Sequence, residues 1–278
     1  MCGIRNWLPR FSQNATPPIL LLSMSPDGNR VVYALTNQLF ALDRAANTNW
    51  LISPAPSSSR LGLRFSADSR SLVYAGILGN TNQVFLYDFQ TGSNSLLSQG
   101  FGGLPSGVSD SPDISADGRF VAYRSLATNI DAMTDGNGVP DLFLYDRLTG
   151  VNSLLSVSAV NGRAADNRSL APVFSSDGRT LLFQSAASDL VAGDLNHGSD
   201  IFALALLYAK IIPPGPGRGP VLTWPARPGE NYQVQFKNTL SDLGWQTVSG
   251  TVTITGNQAQ LTDLAPGNGQ RFYRVVAF

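Results

Sequence analysis

Residues Asp113–Ser156, DISADGRFVAYRSLATNIDAMTDGNGVPDLFLYDRLTGVNSLLS, decide how the rest of the chain is read. The stretch opens with a turn, Ser115-x-Asp117-Gly118-Arg119, followed by a short apolar run that ends on Tyr123. A polar loop leads to a second run, Leu142–Asp146. A Thr149-Gly150 turn then gives way to a closing Leu154-Leu155-Ser156. Gly, Asn and Asp tolerate the positive φ of tight hairpin turns, so an apolar run entered through Asp-Gly reads as a buried strand.

The same unit recurs through residues 19–212. Its first turn is marked by Asp27, Asp68, Asp117 and Asp177, and six residues later stand Tyr33, Tyr74, Tyr123 and Phe183. The next run is Leu39–Asp43, Val84–Asp88, Leu142–Asp146 and Ile201–Leu204, each with Phe at its second position. Ten residues beyond Asp43, Asp88 and Asp146 come Ser53, Ser98 and Ser156, each closing a strand. With the strand before each Ser-x-Asp turn, every unit has four short strands at a period of roughly 40 to 60 residues, the pattern of a propeller blade. The fourth unit lacks Tyr-Asp and Thr-Gly and runs as ALLYAKII. No stretch of 19–212 has helical periodicity.

Composition excludes several functions. Charged residues make up 14% of the 278-residue chain, net charge is zero, Lys occurs only at Lys210 and Lys237 and the arginines are scattered, so a nucleic-acid role is not expected. Cys2 is the only cysteine and His197 the only histidine, which leaves no internal disulfide, Cys-based zinc site or multi-His centre. No stretch is long and apolar enough for a membrane span, and residues 1–18 lack the apolar core of a signal peptide. Three readings stay open for that end: a cytoplasmic protein, an export signal missing from this chain, or a mature N-terminus near Cys2.

The Ser-x-Asp-Gly-Arg turn, its aromatic at fixed offset and the Phe-bearing strand before Tyr-Asp and Thr-Gly resemble the TolB-type, WD-like β-propeller repeat. This repeat is shared by the propellers of prolyl-oligopeptidase-type hydrolases. The resemblance implies an all-β fold of four recognisable four-stranded blades over 19–212, as a small ring or a partial propeller. Residues 1–18 are the candidate strand that closes it, and an open arc implies oligomerisation. It also implies a periplasmic or extracellular location. The Pro-rich 213–219 reads as a linker. Residues 220–278 hold short alternating strands that resemble fibronectin type III-like or Ig-like sandwiches, with Trp224, Tyr232 and Trp245 expected in its core.

Two loops carry D-x-N-x-x-x-D: Asp135, Asn137 and Asp141, then Asp194, Asn196 and Asp200. Alternating carboxylates and amides are how loops offer oxygens to Ca²⁺, and Asp131 and Asp189 lie just upstream as further candidates. The bidentate Glu of a full calcium loop is missing, and Asx turns at a hairpin tip are the simpler reading. No cofactor other than calcium is suggested. The Asp of each Ser-x-Asp turn is expected to accept N–H groups of its own turn, with Arg70, Arg119 and Arg179 facing solvent or a neighbouring blade. No G-x-S-x-G elbow, phosphate-binding glycine loop or singled-out carboxylate pair occurs. The expectation is therefore a non-catalytic binding or scaffold protein with a protein or glycan partner. The alternative is a polysaccharide-acting hydrolase or lyase using the central depression.

Overall fold

The computed structural model describes residues 19–35, 38–53, 62–131, 135–196, 198–206, 209–213, 218–226, 229–239, 242, 244–256, 258–266 and 270–278. The fold is all-β. Every regular element among the described residues is a strand, and the chain divides into two compact units between Leu204 and Ala205. The N-terminal segment expected to close the propeller and most of the expected linker lie outside the described residues.

The first unit is a succession of antiparallel sheets. The first sheet contains β1 (Ile19–Met24), β2 (Arg30–Leu35), β3 (Gln38–Asp43) and β4 (Thr48–Ser53). The second has β5 (Arg64–Phe65), β6 (Ser71–Leu78), β7 (Thr81–Asp88) and β8 (Ser93–Leu96). The third has β9 (Ser109–Ile114), β10 (Phe120–Ser125), β11 (Asp141–Asp146) and β12 (Val151–Leu154). In each, neighbours in sequence are neighbours in space, the meander of a propeller blade.

The repeated residues do the same job in each sheet. Ser25, Ser66, Ser115 and Ser175 donate their hydroxyls to Asp27, Asp68, Asp117 and Asp177 at 2.5–2.6 Å. Each Asp accepts the N–H two residues on, from Asn29, Arg70, Arg119 and Arg179, at 2.9–3.0 Å. The turn needs a left-handed residue, supplied by Gly28, Gly118 and Gly178 but by Ser69 (φ 61°) in the second sheet. These donors, the Ser25 hydroxyl first, hold the exposed Asp27 carboxyl at about 2. The signature aromatics meet across the strands: Tyr33 stacks on Phe40, Tyr74 on Phe85, Tyr123 on Phe143 and Phe183 on Phe202, with centroids 5.5–6.0 Å apart.

Sheet faces bury one another. Val32, Leu39 and Ile52 of the first sheet pack with Leu72, Tyr74 and Tyr87 of the second. Val73, Val84 and Leu97 of the second pack with Val121, Tyr123 and Phe143 of the third. At roughly 25 cal/mol per Å² of apolar surface, these shared faces are the main source of cohesion.

The fourth sheet departs from expectation. Among the described residues it contains β13 (Ser169–Phe174), β14 (Thr180–Ser185) and β15 (Asp200–Ala205), three strands where four were expected. The ALLYAKII run has no Thr-Gly turn to fold it back. Its end forms β16 (Lys210–Ile212), which pairs with β17 (Val221–Pro225). The repeat unit therefore ends before residue 212, and Lys210–Ile212 belong to the second unit.

In that unit β16 and β17 join β20 (Thr253–Thr255) and β21 (Gln258–Thr262) in one sheet. The other sheet contains β18 (Tyr232–Lys237), β19 (Gln246–Thr247) and β22 (Phe272–Ala277). Leu222, Trp224 and Leu261 from the first share a core with Tyr232, Val234 and Phe236 from the second. Trp245 is not in that core. It is half-buried, with Lys237 and Arg274 over its ring at 5.2 and 4.5 Å, because the short β19 turns its flank outward.

Candidate functional site

The polar residues of the first unit concentrate at the seams between sheets. At the second-to-third seam Gln83 is fully buried. It accepts the Ser98 hydroxyl at 2.7 Å and donates to the Gly107 carbonyl, also at 2.7 Å. Asp141 holds the same place in the third sheet. It accepts the Ser156 hydroxyl at 2.5 Å and the Asn137 amide at 2.8 Å. Ser98 and Ser156 also accept the N–H of Val84 and Leu142 at 3.0 Å, which explains the serine that closes each unit.

A second clasp was invisible in the repeat reading. Asn94 accepts the Tyr74 hydroxyl at 2.8 Å and donates to the Ile52 carbonyl of the preceding sheet at 2.6 Å. Asn152 repeats this with Tyr123 and Leu97 at 2.7 and 2.9 Å. The available signal was an Asn four residues before each closing Ser, at Asn49, Asn94 and Asn152. Arg119 was expected to face solvent or a neighbouring blade. It instead forks onto Asp146 of its own sheet at 3.0 and 2.8 Å, because β10 and β11 place Phe120 opposite Asp146.

The first D-x-N-x-x-x-D loop lies between β10 and β11. Asn137 shapes it, accepting the Val139 N–H at 2.9 Å and donating to Asp141 and to the Ala165 carbonyl at 2.7 Å. Asp135 is 5% exposed, and neither carboxylate oxygen has a hydrogen-bond partner. The Asn137 backbone N–H approaches this carboxylate and opposes the upward push of burial without cancelling it. Burial raises Asp141 to about 6, with the charges of Asp135 and Asp189 pushing the same way. Asp189, in the segment after β14, accepts the Asp166 N–H at 3.0 Å. Asp131 instead caps β12 through the Leu154 N–H at 2.9 Å.

The second loop repeats the internal bonds of the first. Asn196 donates to Asp200 at 3.0 Å and accepts the Gly198 N–H at 2.6 Å. Here Asn196 is exposed, Asp194 and Asp200 are partly exposed, and His197 lies outside the described residues. Among the described residues no three His, Cys, Asp or Glu side chains converge as a ready-made metal centre.

A different kind of feature sits on the loop 99–107. Phe101 is 73% exposed and Leu104 70%. The loop is nonetheless pinned. Asn129 accepts the Ser106 N–H at 2.9 Å, donates to the Leu104 carbonyl at 2.9 Å, and takes the Phe101 N–H on its own carbonyl. A Cβ on Gly100 would lie 2.7 Å from the Leu104 carbonyl oxygen, so only glycine allows this close turn. Beside it is an open depression of about 520 Å³, lined by Phe101, Ile130, Asp131, Tyr145, Val151 and Asn152 among others.

No protein-family model and no curated protein matches the chain. Among solved structures it is similar to TolB from Acinetobacter baumannii at 16% identity and TM-score 0.40, covering 74% of this chain and 51% of that one. A TolB-like protein from Agrobacterium tumefaciens gives 15% and 0.45, covering 94% and 90%. An oligogalacturonate lyase from Vibrio parahaemolyticus gives 13% and 0.40, covering 83% and 64%. The chain spans about half the length of the A. baumannii protein.

Proposed function

We propose that the chain is a non-catalytic binding scaffold that works at the cell envelope or outside the cell and holds a protein partner through the loop 99–107. One observation carries this reading: two large apolar side chains, Phe101 and Leu104, stand in solvent on a loop whose backbone is pinned by Asn129. A rigid loop loses little conformational freedom on binding, and aromatic side chains, Phe included, are enriched in interface cores. The side chains that stand out in the sequence support the same view. The turn aspartates, the closing serines and the repeated asparagines spend their hydrogen bonds inside and between sheets.

A retaining or inverting glycoside hydrolase would need paired carboxylates facing a cleft. The depression beside Phe101 has a single acidic residue, Asp131, among its described lining.

The test places a photo-crosslinking residue at position 101 and exposes the chain to an envelope extract. A discrete adduct is expected, and the Phe101→Ala, Leu104→Ala double variant should lose more than about tenfold in affinity for the trapped protein with unchanged Tm. Polysaccharide cleavage by the purified chain, abolished by Asp131→Asn, overturns the proposal.

A further inference from the structure

Among the described residues of the first unit, Asp135 is the carboxylate with both oxygens buried and without a hydrogen-bond partner. It is 5% exposed, and neither buried oxygen has a donor in hydrogen-bonding geometry, the Asn137 backbone N–H coming close without completing a bond. Across the loop is a second carboxylate, Asp141, which is fully buried. Hydrogen bonds from Ser156 and Asn137 use one lone pair on each of its oxygens and leave the others open. Among the described residues no Arg or Lys pairs with Asp135 or Asp141, whereas Asp110, Asp113, Asp146 and Asp263 each have an arginine partner. Two buried negative groups with no counter-charge are strongly unfavourable unless they protonate or share a cation.

We infer that the seam between the third and fourth sheets holds one calcium ion, bound by the carboxylates of Asp135 and Asp141. The donors are all oxygens, which selects a hard cation over zinc or copper. Two carboxylates do not fill a calcium shell of six to eight oxygens, so carbonyls of the loop and water complete it. Such a mixed, irregular shell suits Ca²⁺ better than Mg²⁺, which demands a near-octahedral cage. Asn137 is a positioning residue. Its amide holds Asp141 on one side and the Ala165 carbonyl, which precedes the fourth sheet, on the other, so the ion ties the two sheets together.

The test is thermal unfolding of the full chain after stripping with EGTA, with calcium or magnesium added back. Calcium at about a hundredfold over its Kd should raise Tm by about 5–10 °C, and EGTA should reverse the rise. Asp135→Asn removes the charge and most of the demand for a cation. The stripped variant should melt no lower than the stripped wild type and show no calcium shift, whereas a merely structural aspartate would lower Tm in both conditions. Asp194→Asn, in the exposed sister loop, should leave the wild-type shift intact. A wild-type Tm indifferent to calcium overturns the proposal and leaves a protonated Asp135 as the explanation. A calcium shift that survives Asp135→Asn also overturns it, and an equal response to magnesium overturns the choice of calcium. Should Asp135→Asn not fold, the EGTA and add-back cycle on wild type decides alone.

Discussion

The two D-x-N-x-x-x-D loops share their residues and their internal hydrogen bonds, yet they are physically different objects. In both, the Asn amide donates to the last Asp, at 2.8 Å for Asn137 and 3.0 Å for Asn196. The first loop is bonded to the segment that leads into the following sheet. There Asn137 reaches the Ala165 carbonyl, while Asp135 is buried with neither oxygen in hydrogen-bonding geometry to a donor. The second loop keeps its acids partly exposed, where water solvates them. The motif therefore sets the shape of the loop, and the neighbouring sheet sets how much its charge costs.

The sharpest way to break that comparison is to move the charge. Gln83 stands where Asp141 does, at a seam built with a neutral amide. Gln83→Glu should cost about 3 kcal/mol at neutral pH, since it buries an unpaired carboxylate against the Gly107 carbonyl. Burial raises the pKa of such a group, so its folded state favours the protonated form. The deficit measured by urea unfolding should shrink as pH falls through that raised pKa and reopen as pH rises. Equal deficits at acid and neutral pH would show that shape, not charge, is what the seam rejects.

Next in size is the pair Asn137→Ala and Asn196→Ala. The first should lose about 2 kcal/mol, because a buried carbonyl and a buried carboxylate each lose a donor. The second should stay within about 0.5 kcal/mol, as expected of an exposed site. Similar losses would mean the following sheet contributes nothing. A smaller contrast is expected between Asn152→Ala, at about 1–2 kcal/mol, and Asn49→Ala, at about half that. Asn152 joins its Tyr to the preceding sheet, whereas Asn49 is seen to donate to Tyr33 alone, at 3.3 Å.

The smallest effect concerns an acid that its own turn supplies with donors. Asp27 is held at about 2, below the usual 3.8, so its contribution is present above pH 3.8 and lost as pH falls through about 2. Asp27→Asn should lower Tm slightly at neutral pH and flatten its dependence on pH between about 4 and 2, so that variant and wild type converge near pH 2. An unchanged acid slope would remove the turn hydrogen bonds from the account.

What was legible in the chain was local. The Ser-x-Asp turns, the aromatic six residues after each turn aspartate and the closing serines recur at fixed spacings because each is built from groups within one sheet, and a hairpin holds them in register. The asparagine clasps were spelled out at equal intervals, yet their meaning depends on a carbonyl in the sheet before. Trp245 read as core because alternation marks apolar positions without saying whether the flank of a two-residue strand is covered. The end of the repeat was misplaced because Lys210–Ile212 are equally good as a fourth blade strand or as a partner for β17, and without a Thr-Gly turn nothing local chooses.

By itself the order of residues determined an all-β chain of repeated antiparallel sheets, because turn chemistry and two-residue alternation act over a few positions. Only the tertiary structure decided that Asp135 loses its water while Asp194 keeps some exposure, since desolvation depends on what packs over a group. That is a property of the neighbouring sheet, and no pattern within the loop records it.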